Sequence, residues 1–283
     1  MNTYSYESLK DKVCVITGGA GVIGTSITRS FAAVGIKTAI ADLDKDLAQK
    51  RANEIKEEFN VESVGVEMNV LDKGSIIKAK ETVNAKLGKV DFLINGAGGN
   101  HPKATTQVEQ MSKENLSELE KTFYGLDIEG FDKVFDLNFK GTLLPTMVFT
   151  QDMLEKGKGS VINISSMNSF KPLTKIPAYS AAKASINNFT QWLAVHLAKT
   201  GIRVNAVAPG FFLTNQNRFL LIDEKTGKAT PRGQKIISNT PMGRYGEIDE
   251  LQGACLFLLS DLSEFITGIV IPVDGGYSAF GGV

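Results

Sequence analysis

Short apolar runs alternate with long stretches of helical periodicity along this chain, and that alternation limits what the chain can fold into. The apolar runs are rich in β-branched residues, which is typical of strands buried on both faces of a sheet. The stretches between them have the length and periodicity of helices. Seven runs are predicted to be strands: 13–17, 37–41, 64–67, 90–94, 160–164, 203–208 and 269–273. Helices are predicted near 23–34, 44–58, 73–87, 131–156, 179–199 and 247–260.

This order predicts an α/β fold of the Rossmann type, a doubly wound, mainly parallel sheet of seven strands with helices on both faces. We expect a single domain over 1–283, because no internal repeat or low-complexity linker divides the chain. Two insertions interrupt the alternation, near 99–130 and 211–244. They follow the fourth and sixth strands, where open α/β sheets bind ligands, so both are candidates for the substrate site. Surface loops or subunit contacts are the alternative.

Charge and composition exclude several classes of protein. The 31 Lys and Arg residues balance the 31 Asp and Glu residues, so no net positive field attracts nucleic acid or anionic lipid. The N-terminus lacks the pattern of a signal peptide, and no apolar run is long enough to cross a bilayer, which predicts a cytoplasmic protein. We expect reduced core thiols at Cys14 and Cys255. His101 and His196 are too separated for a metal cluster, and we expect no metal.

A glycine-rich turn, Thr17-Gly18-Gly19-Ala20-Gly21-Val22-Ile23-Gly24, follows the first predicted strand and opens a helix. Glycines let the backbone approach a pyrophosphate closely, and the free amides of a helix N-terminus favour an anion. The turn therefore predicts a dinucleotide site, and an ordinary tight turn is the alternative. The candidate contacts in it are Gly18, Gly21, Val22, Ile23 and Gly24.

Asp42 ends the second predicted strand, where a carboxylate can bond both hydroxyls of the adenosine ribose and repel a 2′-phosphate. Because no Lys or Arg lies in the glycine-rich turn, we expect NAD rather than NADP. A helix-capping role is the alternative for Asp42. Asn69 and Val70 follow the third strand and are candidates for the adenine edge, although Asn69 could equally be a turn residue.

The fourth predicted strand ends in Asn95-Gly96-Ala97-Gly98-Gly99. Glycines at this point allow the chain to pass closely beneath a ribose or an adenine. Asn95, Gly96 and Ala97 are therefore candidate cofactor contacts, and a simple turn between strand and loop is the alternative.

A serine, a tyrosine and a lysine form the candidate catalytic group. Ser166 follows the fifth strand, and Tyr179 and Lys183 are four residues apart, so on a helix they share one face. A neighbouring ammonium and a nicotinamide cation would lower the pKa of the phenol, which makes it a usable acid and base. We expect Ser166 to bond the substrate oxygen and Asn138 to hold a water that connects Lys183 to solvent. Taken alone, the Tyr–Lys spacing is common by chance, and an exposed helical pair is the alternative.

Together these motifs, with Pro209-Gly210, resemble the short-chain dehydrogenase/reductase family from about residue 10 to 277. The resemblance implies an NAD-dependent oxidoreductase acting on CH–OH groups, and a homotetramer. It implies the catalytic tetrad Asn138, Ser166, Tyr179 and Lys183. It also implies cofactor contacts at Tyr179, Lys183, Pro209, Gly210, Phe212 and Thr214, of which Thr214 holds the carboxamide.

The chain departs from the family pattern twice. Val22 occupies the middle glycine position of the usual TGxxxGxG, and Gly96 replaces the second asparagine of the usual Asn-Asn-Ala-Gly. Neither position is one of the proton-transfer residues.

Four stretches, 95–106, 162–184, 188–199 and 208–218, resemble more narrowly the D-mannonate oxidoreductase or fructuronate reductase branch, which interconverts D-fructuronate and D-mannonate. This likeness implies a sugar-acid substrate. Polar residues on the expected rim are Asn100, His101, Lys171, Asn215, Gln216 and Arg218, with ordinary loop polarity as the alternative.

We expect Arg218 to pair with the substrate carboxylate, or else to form a salt bridge with Asp223 or Glu224. Reduction of another polyol, a gluconate-like acid or a 3-oxoacyl ester is the competing function. A non-catalytic nucleotide-sensing scaffold is a remote second alternative.

Overall fold

The computed structural model describes residues 5–214, 218–224 and 226–282. Every run predicted to be a strand is a strand, with ends that move by no more than two residues. The strands are β1 (Val13–Thr17), β2 (Lys37–Asp42), β3 (Ser63–Glu67), β4 (Phe92–Asn95), β5 (Gly159–Ile164), β6 (Ile202–Pro209) and β7 (Val270–Val273).

The helices agree with the prediction except near 131–156 and 211–244, and at 247–260, where a 3₁₀ turn (Ile248–Leu251) precedes the α-helix. The α-helices are α1 (Val22–Ala33), α2 (Lys45–Phe59), α3 (Lys73–Lys86), α4 (Ile128–Phe135), α5 (Gly141–Lys156), α6 (Pro177–Leu197), α7 (Arg218–Leu221), α8 (Pro231–Ser238) and α9 (Gln252–Leu259). The single helix predicted over 131–156 is wrong in one respect, because a π-helical turn, Asp136–Lys140, separates α4 from α5. In addition, α7 and α8 lie in a segment for which no helix is predicted.

The strands form one sheet in the order β3-β2-β1-β4-β5-β6-β7, and all neighbouring pairs are parallel. The chain moves outward in one direction from β1 to β3 and in the other from β4 to β7. That reversal leaves a crevice at the carboxyl ends of β1 and β4, where doubly wound sheets bind their ligands. The predicted Rossmann-type α/β fold is confirmed.

Alternate residues of the central strands pack on opposite faces of the sheet. On one face Val13 and Val15 join a cluster that includes Phe149 of α5 and Leu193 of α6. On the other face the neighbours of these residues in β1 pack against α1 and α9, through residues such as Phe31. Cys14 and Cys255 are buried in this second cluster as free thiols, and burial raises the pKa of both.

The two insertions contain mostly short elements. The first consists of 3₁₀ turns at Pro102–Ala104, Lys113–Ser117, Leu119–Lys121 and Phe123–Gly125. The second contains α7 and α8, and Glu109 of the first insertion pairs with Lys235 of the second. Within the described ranges no helix is long and apolar enough to span a bilayer. The same residues contain no group of three or more metal-ligating side chains.

Candidate active site

A cleft of about 610 Å³ opens at the carboxyl edge of the sheet, over the crevice between β1 and β4. Its walls come mainly from the ends of six strands, β1 to β6, with the segments that follow them, and from the start of α1 and α6. Most of the predicted site residues meet here: Gly18, Gly21, Val22, Ile23, Gly24, Asp42, Val70, Gly96, Ala97, Ser166, Tyr179, Lys183, Pro209, Gly210, Phe212 and Thr214.

The N-terminus of α1 forms the part of the cleft suited to a phosphate. Gly21 is the N-cap residue, and it has no side chain with which to occupy the amides of Val22 and Ile23. Gly24 brings the first turn of α1 against the preceding loop, because a Cβ there would lie 2.6 Å from the carbonyl oxygen of Gly18. Free amides at the positive end of a 12-residue helix favour an anion. Val22 in the usual glycine position does not prevent this arrangement.

Asp42 is held at the end of β2, beside the glycine-rich turn. One carboxylate oxygen accepts a hydrogen bond from the amide of Ala20 at 3.2 Å, and the other accepts from the amide of Asp44 at 3.4 Å. Asp44, rather than Asp42, caps α2, since its side chain accepts from the amide of Leu47. The carboxylate of Asp42 therefore faces the cleft at the position expected of a ribose ligand.

Thr17, the last residue of β1, anchors the loop that follows β4. Its hydroxyl oxygen accepts hydrogen bonds from the amides of both Gly96 and Ala97 at 3.1 Å. Asn95 lies beneath this loop, where its side chain bonds Thr146 and Asn163 at 2.8 Å and does not line the cleft. The loop thus presents its backbone to the cleft while Asn95 supports it from the core.

Asn69 also lies outside the lining of the cleft. Its side chain accepts a hydrogen bond from the amide of Leu71 at 2.9 Å, which is the turn geometry left open as the alternative. The neighbouring Met68 and Val70 do line the cleft.

The π-helical turn positions Asn138. Its amide nitrogen donates to the carbonyl oxygens of Gly99 (2.7 Å) and Val134 (2.8 Å), and its Oδ1 accepts from the amide of Gly99. A Cβ on Gly98 would lie 2.7 Å from that Oδ1 and 3.2 Å from Nζ of Lys183. The missing side chain of Gly98 therefore leaves a small space that both polar groups border.

Lys183 is 4% exposed and donates from Nζ to the carbonyl oxygen of Ile164 at 2.7 Å. Tyr179 precedes it by one turn of α6, and Nζ lies 5.6 Å from the centre of the phenol ring. Ser166 lines the same wall of the cleft, close enough to Tyr179 to influence the pKa of its phenol. The helix thus brings the predicted serine, tyrosine and lysine together on the wall of the cleft.

Burial dominates the electrostatics of this group. Desolvation lowers the pKa of Lys183 from 10.5 to about 8, because a buried ammonium loses its hydration. Desolvation also raises the pKa of Tyr179, and the hydrogen bond from Ser166 opposes that rise. The site therefore contains a lysine that titrates near neutrality next to a phenol held in its protonated form.

The predicted substrate residues do not meet in this cleft. Asn100 lines a second groove beside it, whereas His101 accepts a hydrogen bond from the amide of Lys103. Lys171 donates to the carbonyl oxygen of Phe280. Arg218 is exposed at the start of α7 and lines neither cavity. Asn215 and Gln216 lie outside the described residues.

Some residues of the cleft are absent from the sequence-based prediction. All but Ile248 lie at strand ends or next to residues already named, which is the signal that could have found them, whereas Ile248 lies in a 3₁₀ turn before α9 and has no such signal. They are Leu43, Met68, Gly98, Gly99, Leu137, Ile164, Ser165, Phe211 and Ile248.

Comparison with known proteins agrees with this geometry. The family model described as enoyl-(acyl carrier protein) reductase matches residues 18–278. An uncharacterised oxidoreductase of Haemophilus influenzae is 49% identical over 100% of this chain and 99% of its own length. The 3-oxoacyl-[acyl-carrier-protein] reductase of Aquifex aeolicus is 33% identical over 95% of this chain and 98% of its own.

A solved structure from Haemophilus influenza, provisionally described as a D-mannonate oxidoreductase with bound NAD, superposes with a TM-score of 0.92. It is 50% identical and covers 97% of this chain and 98% of its own. The chain belongs to the short-chain dehydrogenase/reductase family, and it is an oxidoreductase acting on alcohol and ketone groups. Enzymes of this family use NAD or NADP.

The Thr17 anchor gives the first testable prediction. Thr17→Val removes the acceptor for two amides, so we expect a loss of about 1–3 kcal/mol in the free energy of unfolding. We also expect weaker binding of NADH, measured by fluorescence titration. Thr38→Val is the matched control. Thr38 is as fully buried as Thr17, but its hydroxyl bonds Ser63 of β3 and does not contact the cleft. A Thr17 variant that is destabilised yet binds NADH normally would contradict a role in shaping the cleft.

A second prediction concerns the buried ammonium. Lys183→Met should abolish turnover but raise the free energy of unfolding at pH 7 by about 1–3 kcal/mol, because relief of desolvation exceeds the lost hydrogen bond to Ile164. Between pH 8 and 10.5 the unfolded chain holds a proton that folded Lys183 has released. The free energy of unfolding of the wild type should therefore rise between pH 8 and 10.5. The difference in that free energy between Lys183→Met and the wild type should shrink over the same range. Urea titrations at pH 7, 9 and 10.5 measure this, with the exposed Lys199→Met as control. A destabilised Lys183→Met at pH 7 would contradict the expectation.

Proposed function

We propose that this enzyme is NAD(H)-dependent and interconverts a secondary alcohol and a ketone of a sugar acid, with D-mannonate and D-fructuronate as the pair. The observation that carries the chemistry is the placement of Ser166, Tyr179 and the buried Lys183 together on the wall of a glycine-lined cleft. The likeness of four sequence stretches to the mannonate branch supports the substrate. So does the similarity to the NAD-bound Haemophilus structure.

The cleft fits a dinucleotide by its shape and its donors. The uncapped amides at the start of α1 suit the pyrophosphate, and Asp42 suits the hydroxyls of the adenosine ribose. Beyond the pyrophosphate, the cleft continues past Ala97 to Tyr179 and Thr214, where the nicotinamide would lie. When bound, the nicotinamide gives or accepts the hydride.

Tyr179 carries the proton in this proposal. In the direction of reduction its hydroxyl donates a proton to the substrate oxygen as the carbonyl carbon gains hydride, so that C=O becomes CH–OH. Ser166 holds the same oxygen and stabilises its developing negative charge. Lys183, when protonated, favours the phenolate that remains. Oxidation of the alcohol reverses each of these steps.

The phenolate regains its proton through Lys183. The space beside Gly98, bordered by Nζ of Lys183 and Oδ1 of Asn138, would hold one water that both groups can bond. Asn138 is fixed by its bonds to Gly99 and Val134, so this water would have a defined position. It would connect the ammonium to solvent.

Removal of the proton donor tests this arrangement. Tyr179→Phe should lower kcat by about 10²–10⁴, as for lost general acid catalysis, and leave the affinity for NADH unchanged. Stopped-flow turnover and an NADH titration on the same preparation measure the two quantities. Near-normal kcat in this variant would remove Tyr179 from the mechanism.

Substitution of Asp42 tests the preference for NADH over NADPH. The wild type should prefer NADH over NADPH in kcat/KM, because the carboxylate bonds the ribose hydroxyls and repels a 2′-phosphate. Asp42→Ala should lose about 1.5–3 kcal/mol of NADH binding and narrow the preference. Asp44→Ala, which removes the neighbouring helix cap, should destabilise α2 without altering the preference. A wild-type preference for NADPH would overturn the assignment.

A substrate panel decides between the sugar acid and its main competitor. The Aquifex relative is a reductase of 3-oxoacyl chains on a carrier protein, so acetoacetyl-CoA is the appropriate rival substrate. NADH oxidation with D-fructuronate should exceed that with acetoacetyl-CoA in kcat/KM. The reverse order would favour the 3-oxoacyl function, and no turnover with any ketone would favour a nucleotide-sensing role.

We also infer a homotetramer. An exposed groove on α6 and the preceding π-helical turn is lined by Phe139, Ala184, Ser185, Asn188, Phe189 and Trp192. Trp192 is 57% exposed and stacks between Phe189 and His196. Large exposed aromatic side chains on one helix face are typical of a subunit contact.

A further inference from the structure

A second groove, of about 460 Å³, adjoins the reaction cleft. Phe211 lines both cavities, and Asn100 of the groove directly follows Gly99 of the cleft. Ile176, which also lines the groove, is the N-cap residue of the helix that carries Tyr179. A substrate whose carbonyl reaches Tyr179 can therefore extend its far end into this groove.

The groove carries an excess of positive charge. Lys175, Arg232 and Lys235 line it together with one acidic residue, Glu109. Glu109 is paired with Lys235, and the charges of Lys175 and Arg232 also lower the pKa of its carboxyl, so all three cations surround it. Within the described ranges neither Lys175 nor Arg232 has an ion-pair partner. Two cations are thus left for an anionic ligand.

Both free cations are held in place through their backbones. The carbonyl oxygen of Lys175 accepts from the amide of Thr106 at 2.9 Å, which joins the first insertion to the segment before α6. Arg232 lies in the first turn of α8, where Thr230 caps the helix by accepting from the amide of Gly233 at 3.0 Å. A Cβ on Gly233 would lie 2.2 Å from the carbonyl oxygen of Leu221, so α8 packs closely on α7. The fold therefore sets the backbone positions from which the two cationic side chains extend.

We propose that Arg232 and Lys175 bind the carboxylate of the substrate in this groove and thereby select keto acids over neutral ketones. The inference rests on the proposed sugar-acid function and adds the residues that recognise the acid. A guanidinium can bond both carboxylate oxygens, and an ammonium next to it adds a point charge.

Apolar side chains and uncharged polar groups complete the groove, and the apolar ones are those of Pro172, Leu173, Ile176, Phe211 and Ile236. Asn100, Thr105, Asn239 and Tyr277 also line it, and their amides and hydroxyls can bond the hydroxyl groups between a carbonyl and a distant carboxylate. Tyr277 packs edge-to-face on Phe211, with ring centres 5.2 Å apart, which places this part of the groove next to the cleft. The charged and polar part of the lining therefore suits a polyhydroxylated acid.

The test compares D-fructuronate with D-fructose, which has a hydroxymethyl group in place of the carboxylate. With NADH-loaded enzyme, Arg232→Gln should lower kcat/KM for D-fructuronate by roughly 10–100-fold, mainly through KM, and leave D-fructose unchanged. Lys175→Gln should have a smaller effect of the same kind, and Arg232→Lys should restore part of the loss. Lys228→Gln removes a charge from the same insertion outside the groove and should change neither substrate.

The outcomes separate this inference from the proposed function. An equal loss on both substrates, or no loss on either, would show that Arg232 does not bind the carboxylate. If the wild type reduces neutral ketones but not D-fructuronate, the proposed function fails. Inhibition of neutral-ketone reduction by D-mannonate then tests whether the groove binds an anion. Competitive inhibition that disappears in Arg232→Gln would support an anion site, and inhibition that persists unchanged would overturn it.

Discussion

All seven strands run in one direction, so every strand ends at the same edge of the sheet, and the site depends on that constraint. The last residues of β1, β2 and β5 each make a contact at this edge that shapes the site. Thr17 anchors the loop after β4, Asp42 lines the cleft beside the glycine-rich turn, and the carbonyl oxygen of Ile164 holds Lys183. The sheet thereby brings together residues that are far apart in the sequence without requiring long loops to do so. A cleft built on strand ends is also rigid, which suits the precise geometry of hydride transfer.

The buried ammonium of Lys183 is the main energetic conflict in the fold. Its one protein hydrogen bond, to Ile164, does not replace the hydration that it loses, as the lowered pKa of about 8 indicates. The surrounding core stabilises the fold enough to tolerate this cost. In return, the site holds an ammonium whose Nζ lies 5.6 Å from the ring centre of Tyr179 and whose pKa of about 8 lets it exchange its proton at moderately alkaline pH. Function and stability therefore oppose each other at this position.

The parts of the fold that follow from local pattern could be predicted from the sequence, and the parts that follow from tertiary packing could not. The strands are continuous apolar runs buried on both faces, so their positions were clear. A single π-helical turn is too short to interrupt the apolar pattern of the helices around it, so the break at Asp136–Lys140 was missed. Likewise, α8 depends on the contact of Gly233 with Leu221, which composition does not show.

The difference between local pattern and tertiary packing also explains why the predicted substrate residues do not meet in the cleft. Arg218 follows Thr214 by one helical turn, and its amide bonds the carbonyl oxygen of Thr214 at 2.9 Å. Spacing along one segment does not say which other segment faces it, however. The groove with Arg232 forms only because the two insertions meet, at the pair between Glu109 and Lys235.

Charge is separated along the cavities of a chain whose net charge is zero. Asp42 supplies negative charge at the adenosine end, whereas Lys175 and Arg232 supply positive charge beyond the catalytic group. A sugar acid entering the cleft is repelled from the first end and attracted to the second, so its orientation is favoured before close contact. The pyrophosphate of a bound dinucleotide adds negative charge to the first end and strengthens that bias. Under the proposed function, the preference for NAD and the preference for an acidic substrate would both follow from this one arrangement of charges.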